Sequence, residues 1–289
     1  MSFEVTVQDS REHSEHVQEL LDIPRKRAAQ LGKRSVDIQE LGSYEYQGQL
    51  ISIKEEMMSA LLEKKSIPPS QQLILPPSPN HQKPKITICN ETTLMAARRF
   101  MLEKKRVLVL NFANGVSIGG GFLSGSRAQE ETLCFASTLY DTLKGDPFYE
   151  YNRKQQKNVS SAYAIVSTAI VFTDDVYECI AVPWHMDVLT CAAPVCGKWG
   201  GLAPEEASLC LHQRIRRVYE IAICLKYDHL ILGAWGCGAF GNDAYKTAKS
   251  FRYFLENDFH GYFQEITFAI SDWSSHRRFL SPFAEVFSQ

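Results

Sequence analysis

The hydrophobic pattern changes character along the chain, and the changes divide it. Residues 11–31 are rich in charge, with Val17, Leu20, Leu21 and Ile23 as a partial apolar face, a spacing that predicts a helix. The polar stretch 44–49 predicts a hairpin, and residues 53–65 predict a second helix. Residues 66–85 are proline-rich and read as an extended connector. It marks the expected boundary between an N-terminal helical extension, 1–85, and a larger unit, 86–289. At this level the first helix either docks on that unit or binds a partner, and the connector either links or is recognised through its prolines.

From residue 86 short apolar runs alternate with helical spacing. Strands are expected at 86–89, 107–112, 230–234 and 266–270, with strand-rich segments at 162–172 and 177–190. Helices are expected at 92–103, with Leu94, Ala97 and Phe100 inward, and at 129–143, 209–227 and 243–256. This alternation predicts an α/β fold, a mixed sheet with helices on both faces and ligands at the strand ends. There is no internal repeat.

Composition narrows the class. A chain of 289 residues with 45% apolar content can bury a sizeable core. A formal net charge of −2 gives no electrostatic case for nucleic acid. Its 8 cysteines lack C-x-x-C spacing, and Cys179, Cys191, Cys224 and Cys237 sit in apolar runs. They read as reduced thiols, not as a zinc site or a disulfide framework. No secretory leader or membrane span is visible, so a cytoplasmic monomer is expected, with delivery into a host cell left open.

The chemistry concentrates in residues 106–143. A buried strand breaks into a loop centred on Gly119, Gly120 and Gly121, which allow φ > 0 and close approach to a ligand. Gln129, Glu130 and Glu131 then open a helical segment. A glycine-rich loop leading to a helix start suits an anion. Two carboxylates there would repel one, so the pattern suggests phosphate binding beside acid–base chemistry. Taken alone, the glycines read as a flexible loop and the acids as ordinary capping.

The combination resembles the signature of poly(ADP-ribose) glycohydrolases, a Gly-Gly-Gly loop followed by Gln-Glu-Glu on a macrodomain. The flanking NFAN, ending in Asn114, and RAQEE, from Arg127 to Glu131, are similar to the bacterial branch, although Ile118 stands where many members carry proline. The resemblance covers roughly residues 86–270. A second cluster, GAWGCGAFGN from Gly233 to Asn242, fits the letters of a dinucleotide fingerprint, G-x-G-x-x-G. It lies too near the chain's end for a Rossmann unit, since only one strand is expected after it. It resembles instead the family's second ligand loop. The resemblance then implies that Gly236, Cys237, Gly238 and Ala239 hold the diphosphate and Phe240 lies against the terminal ribose; the alternative for Phe240 is a core side chain. Glu91 matches the position that contacts adenine, and reads equally as a helix cap.

What the resemblance implies is hydrolysis of a glycosidic bond at the ribose anomeric carbon, without metal or cofactor. Such a bond breaks through an oxocarbenium-like state that needs a proton for the leaving oxygen and a base for water. Adjacent helical residues point about 100° apart, so the two acids divide the work. By family position Glu131 is the general acid and Glu130 binds ribose hydroxyls, with Asn114, Gln129 and the glycines completing the pocket. The implied partner is ADP-ribose or an ADP-ribosylated protein. A non-catalytic ADP-ribose reader and a mono-ADP-ribosyl-protein hydrolase, arginine-directed among other options, stay open.

Overall fold

The computed structural model describes residues 3–81, 83–155, 158–197 and 200–289. Its frame is one eight-stranded sheet whose strands alternate their side chains between two helical layers. In β6 (Leu108–Phe112), Leu108 and Leu110 face one core while Val109 faces the other, the two-residue period of a strand buried on both sides. The same logic holds for β5 (Lys85–Cys89), β9 (His229–Leu232) and β10 (Glu265–Ala269).

Strand order is β1-β5-β10-β9-β6-β8-β7-β4, with β1 (Glu4–Gln8), β4 (Lys65–Ile67), β7 (Ala164–Thr173) and β8 (Cys179–Cys191) completing the sheet. Neighbours from β1 to β8 run parallel, and β7 runs antiparallel to both β8 and β4. One face is covered by α8 (Pro204–Cys224), α9 (Ala244–Asn257) and α10 (Leu280–Ser288) through Ile215, Val218, Phe251 and Phe283. The other is covered by α4 (Thr93–Leu102), α5 (Gln129–Ala136), α6 (Leu139–Leu143) and α7 (Pro147–Arg153) through Phe100, Leu133, Leu139 and Phe148. This is the mixed α/β architecture expected from the alternation of elements.

Several boundaries differ from expectation. The helix expected over 11–31 is two helices, α1 (Arg11–Leu21) and α2 (Arg25–Leu41), because Pro24 disfavours helical backbone at Ile23 and lacks an amide donor. The expected helix 129–143 breaks at Ser137, whose extended backbone (φ −148°) bridges to Val171. The N-terminal extension is not purely helical, since β1 and, at the start of the connector, β4 join the sheet. The hairpin is present as β2 (Ser43–Tyr46) and β3 (Gln49–Ser52), with Gln47 and Gly48 both at positive φ as a tight two-residue turn requires. It leads into α3 (Lys54–Glu63).

Candidate active site

The carboxyl ends of β5, β6, β8, β9 and β10 open on one side of the sheet, and a pocket of about 260 Å³ sits there. Each strand contributes wall through its last residue or those that follow it: Thr92 and Thr93, Phe112, Ala193, Ala234 to Gly236 with Gly238 to Phe240, and Ile270 with Ser271. Ligands gather at such strand ends because successive loops diverge there around exposed backbone groups. Its walls are mostly apolar, and among the described residues no acidic side chain lines it.

Phe112 ends β6, and the chain reverses at once, with the Ala113 amide donating to the Asn111 carbonyl at 2.9 Å. Asn114 organises the loop beyond, its Oδ1 accepting the amides of Val116 and Ser117 at 3.0 and 2.9 Å. Gly119 and Gly120 then take φ of +65° and +59°, a conformation that L side chains rarely adopt. A Cβ at Gly120 would collide with Glu131 Oε1 and stand 3.1 Å from Glu130 Oε2. The glycine therefore exists to let the loop lie on the carboxylates.

Both acids are buried, at 3% and 7% exposure. Glu130 Oε2 accepts the Asn114 amide at 2.8 Å, and Glu131 Oε1 accepts the Gly121 amide at 2.9 Å. Glu131 Oε2 has no partner among the described residues. Gln129, one residue earlier, acts as a latch: its Oε1 accepts the Phe112 amide, while its Nε2 donates to the Leu110 carbonyl and to Thr93 Oγ1. Burial pushes Glu130 up to about 8; the Asn114 amide opposes this, the neighbouring Glu131 adds to it, and Asn111 opposes it weakly.

The second loop follows β9. Gly236 sits at φ +77°, and a Cβ there would stand 2.7 Å from Asn242 Nδ2 and 2.8 Å from Ala193 Cβ. Gly238 and Ala239 are exposed and line the pocket with half-buried Phe240. The amides of Gly238, Ala239 and Phe240 find no acceptor among the described residues, so they are available to an anion. Cys237 turns the other way: its Sγ lies 3.5 Å from Thr247 Oγ1, and its amide donates to the Ala234 carbonyl.

The structure thus brings Asn114, Gly119, Gly120, Gly121, Glu130 and Glu131 into one cluster, and Gly236, Gly238, Ala239 and Phe240 into the pocket wall, with Gln129 between. The first loop is not a set of free donors, because the Gly120 amide donates to the Ser117 carbonyl and that of Gly121 to Glu131. Glu91 is not among the lining residues: Arg99 holds its carboxylate through two bonds of 2.6 and 2.8 Å.

Sequence reasoning gave no pocket role to Leu21, Arg127, Trp235, Trp273 or Phe279, all of which line the pocket. Arg127 fastens the N-terminal segment to the site by donating to Asp22 Oδ1 at 3.1 Å and to the Ile23 carbonyl. Arg25 adds a bond from its Nε to the Ser124 carbonyl at 2.8 Å, just past the glycine loop. Gly32 lets α2 pack directly on this region, since a Cβ there would stand 2.7 Å from the Phe122 carbonyl oxygen.

A strand-end pocket beside a buried pair of glutamates, on a mixed sheet covered by helices, defines a macrodomain-like scaffold with an acid–base site. The family model described as microbial-type PARG, catalytic domain, matches residues 32–175. The poly(ADP-ribose) glycohydrolase of Thermomonospora curvata is 31% identical, with a TM-score of 0.83 over 90% of this chain and 99% of that one. Its structure bound to the inhibitor ADP-HPD is 30% identical, with a TM-score of 0.80 over the same 90% and 99%. The Deinococcus radiodurans enzyme in complex with ADP-ribose is 30% identical, with a TM-score of 0.74 over 80% of this chain and 96% of that one. No curated protein matches the chain. The chain belongs to the microbial-type poly(ADP-ribose) glycohydrolase family. No helix among the described residues is long and apolar enough to cross a membrane.

Proposed function

We propose that this protein is an ADP-ribosyl glycohydrolase, which hydrolyses the glycosidic bond at the ribose anomeric carbon and releases ADP-ribose from polymer ends or modified proteins. The observation that carries this reading is the partly satisfied Glu131. One oxygen is fixed by the Gly121 amide, while the other is buried without a partner among the described residues, on the helix whose Gln129 and Thr132 line the pocket. In most buried structural carboxylates both oxygens are occupied. A general acid needs one held and one free for the reacting oxygen.

In this reading Glu131 protonates the leaving oxygen as the bond to the anomeric carbon breaks, and then takes a proton from the attacking water. Glu130 binds the ribose hydroxyls. The diphosphate rests on the Gly238, Ala239 and Phe240 amides and the uncapped start of α5, where Ala128 lines the pocket without a side-chain cap. Phe240 lies against the terminal ribose. The diphosphate contact expected of both loops thus rests on the second alone, and the first holds the acids. Adenine recognition falls to the hydroxyls and backbone near Thr92, Thr93 and Ser271, since the Glu91 carboxylate is engaged by Arg99.

The test is incubation with poly(ADP-ribose) and with mono-ADP-ribosylated arginine, serine and glutamate substrates, following free ADP-ribose. Wild type should release it from at least one substrate. Glu131→Gln should keep ADP-ribose affinity and lose roughly 10²-fold or more in turnover. Binding without release from any substrate would make the protein a reader.

A further inference from the structure

Glu130 has an unusual set of partners for a carboxylate at neutral pH. Its Oε2 is well held by the Asn114 amide, but its Oε1 has only Asn111 Nδ2 at 3.4 Å, at the outer limit for a hydrogen bond. Asn111 is fully buried, donates better to Thr190 Oγ1 at 3.1 Å, and leaves its own Oδ1 with no donor among the described residues. Buried side-chain carbonyls are seldom left this way.

Turning the Asn111 amide by half a rotation exchanges its two ends. The carbonyl then faces Thr190 Oγ1, a hydroxyl that can donate, and Glu130 Oε1, which can donate only when it carries a proton. Amide orientation and protonation go together. The displaced NH₂ then needs an acceptor; the buried Tyr149 hydroxyl, orphaned among the described residues, belongs to the helical layer that Val109 and Ala113 flanking Asn111 also face.

The charged surroundings point the same way. On α5 itself the titratable neighbours are Glu131 and Cys134, and from α7 comes Tyr149, a neutral phenol. The adjacent strands present Asn111 and Thr190. Among the described residues no lysine or arginine acts on Glu130, so nothing balances a second negative charge.

We propose that Glu130 is carried as the neutral acid in the resting site, donating its proton to the Asn111 carbonyl. A dianionic diphosphate then meets a site from which the Glu130 charge has been removed. This resolves the repulsion inherent in placing two glutamates beside a phosphate site. For its ligand the inference rests on the functional reading above.

The experiment is calorimetric titration of ADP-ribose into wild type and Glu130→Gln at about pH 6.5 and about pH 9.5, a range over which the ligand's diphosphate stays dianionic. Gln reproduces the neutral acid in shape and donates to the same carbonyl. Because Glu130 also contacts the ribose in the functional reading, each protein is compared with itself across pH. At the higher pH wild type should weaken by roughly tenfold or more while the variant stays level. Parallel pH dependence in both overturns the proposal. Isotope-edited infrared spectra provide a readout without ligand: a protonated-carboxyl band should be present in wild type at neutral pH and absent from the variant. No such band in wild type overturns it as well. If ADP-ribose fails to bind at any pH the functional reading falls, and the band alone still decides the state of Glu130.

Discussion

The amide of Gly121 donates to Glu131 Oε1 at 2.9 Å, closing the glycine loop onto a helix that begins after it. Loop and acid are therefore one mechanical unit. The glycines place backbone against a carboxylate, a different use from cradling a phosphate, and the difference is measurable.

Gly120→Ala should separate the two roles. Its Cβ would press on the Glu131 carboxylate, and the site's φ of +59° strains any L residue. The backbone strain should destabilise the fold by about 1 kcal/mol, with turnover falling by about 10²-fold and ADP-ribose affinity by much less. Steady-state kinetics beside calorimetry decide it. Affinity lost in step with turnover would return the phosphate to the first loop.

Glu130 also makes stability depend on pH. Its folded-state value is raised to about 8, so the neutral form is the one the fold favours. Stability from this group is fully present below the ordinary carboxylate range and declines as pH rises towards about 8, where the unfolded chain is already ionised. Glu130→Gln has no such cost. Its melting temperature should exceed wild type's at about pH 8–9 by several degrees, corresponding to a few kcal/mol, and match it near pH 4. Equal melting temperatures at alkaline pH would mean that Glu130 is not strained by burial.

Much of the fold was legible because its strands are fully buried. Runs such as ITIC in β5 and LVLNF in β6 have no polar face to confuse the period, and glycine or polar residues punctuate them. The edge strand β1 escaped detection for the opposite reason: EVTVQ is mostly exposed and reads as a polar terminus. Ser137 splits a continuous helical pattern through a bridge to Val171, a tertiary contact with no local signal. The site divides in the same way. The acids and glycines lie on neighbouring stretches of chain and are visible as a motif. Leu21, Trp273 and Phe279 reach the same pocket from opposite ends of the chain. Glu91 carried a real local signal, but Arg99 eight residues later claims its carboxylate.

The N-terminal wall should act on binding and leave the chemical step alone. Arg127 tethers the Asp22–Ile23 turn, and Leu21 lines the pocket beside it. Arg127→Ala should raise KM about three- to tenfold, or roughly 0.6–1.4 kcal/mol, with kcat nearly unchanged. Leu21→Ala should follow in the same direction by a smaller factor. A fall in kcat with KM preserved would instead assign Arg127 to the transition state.

The last expectation concerns which end of a polymer is used. Phe240 stands at the pocket wall among small residues, half-buried and packed on the core beneath the sheet. In the proposed binding mode the terminal ribose lies against this aromatic, and a continuing chain then has no straight path past the glutamates, whereas a terminal unit needs none. Endo-cleavage requires an open channel on both sides of the acids, and the N-terminal segment packs on this region through Arg127 and Arg25. Long poly(ADP-ribose) should therefore yield single ADP-ribose units as its early product while the remaining chains shorten gradually on a sizing gel. Early oligomers from wild type would rule out an end-directed pocket. Phe240→Ala removes the obstruction without touching either glutamate, so it is the variant in which oligomers should first appear.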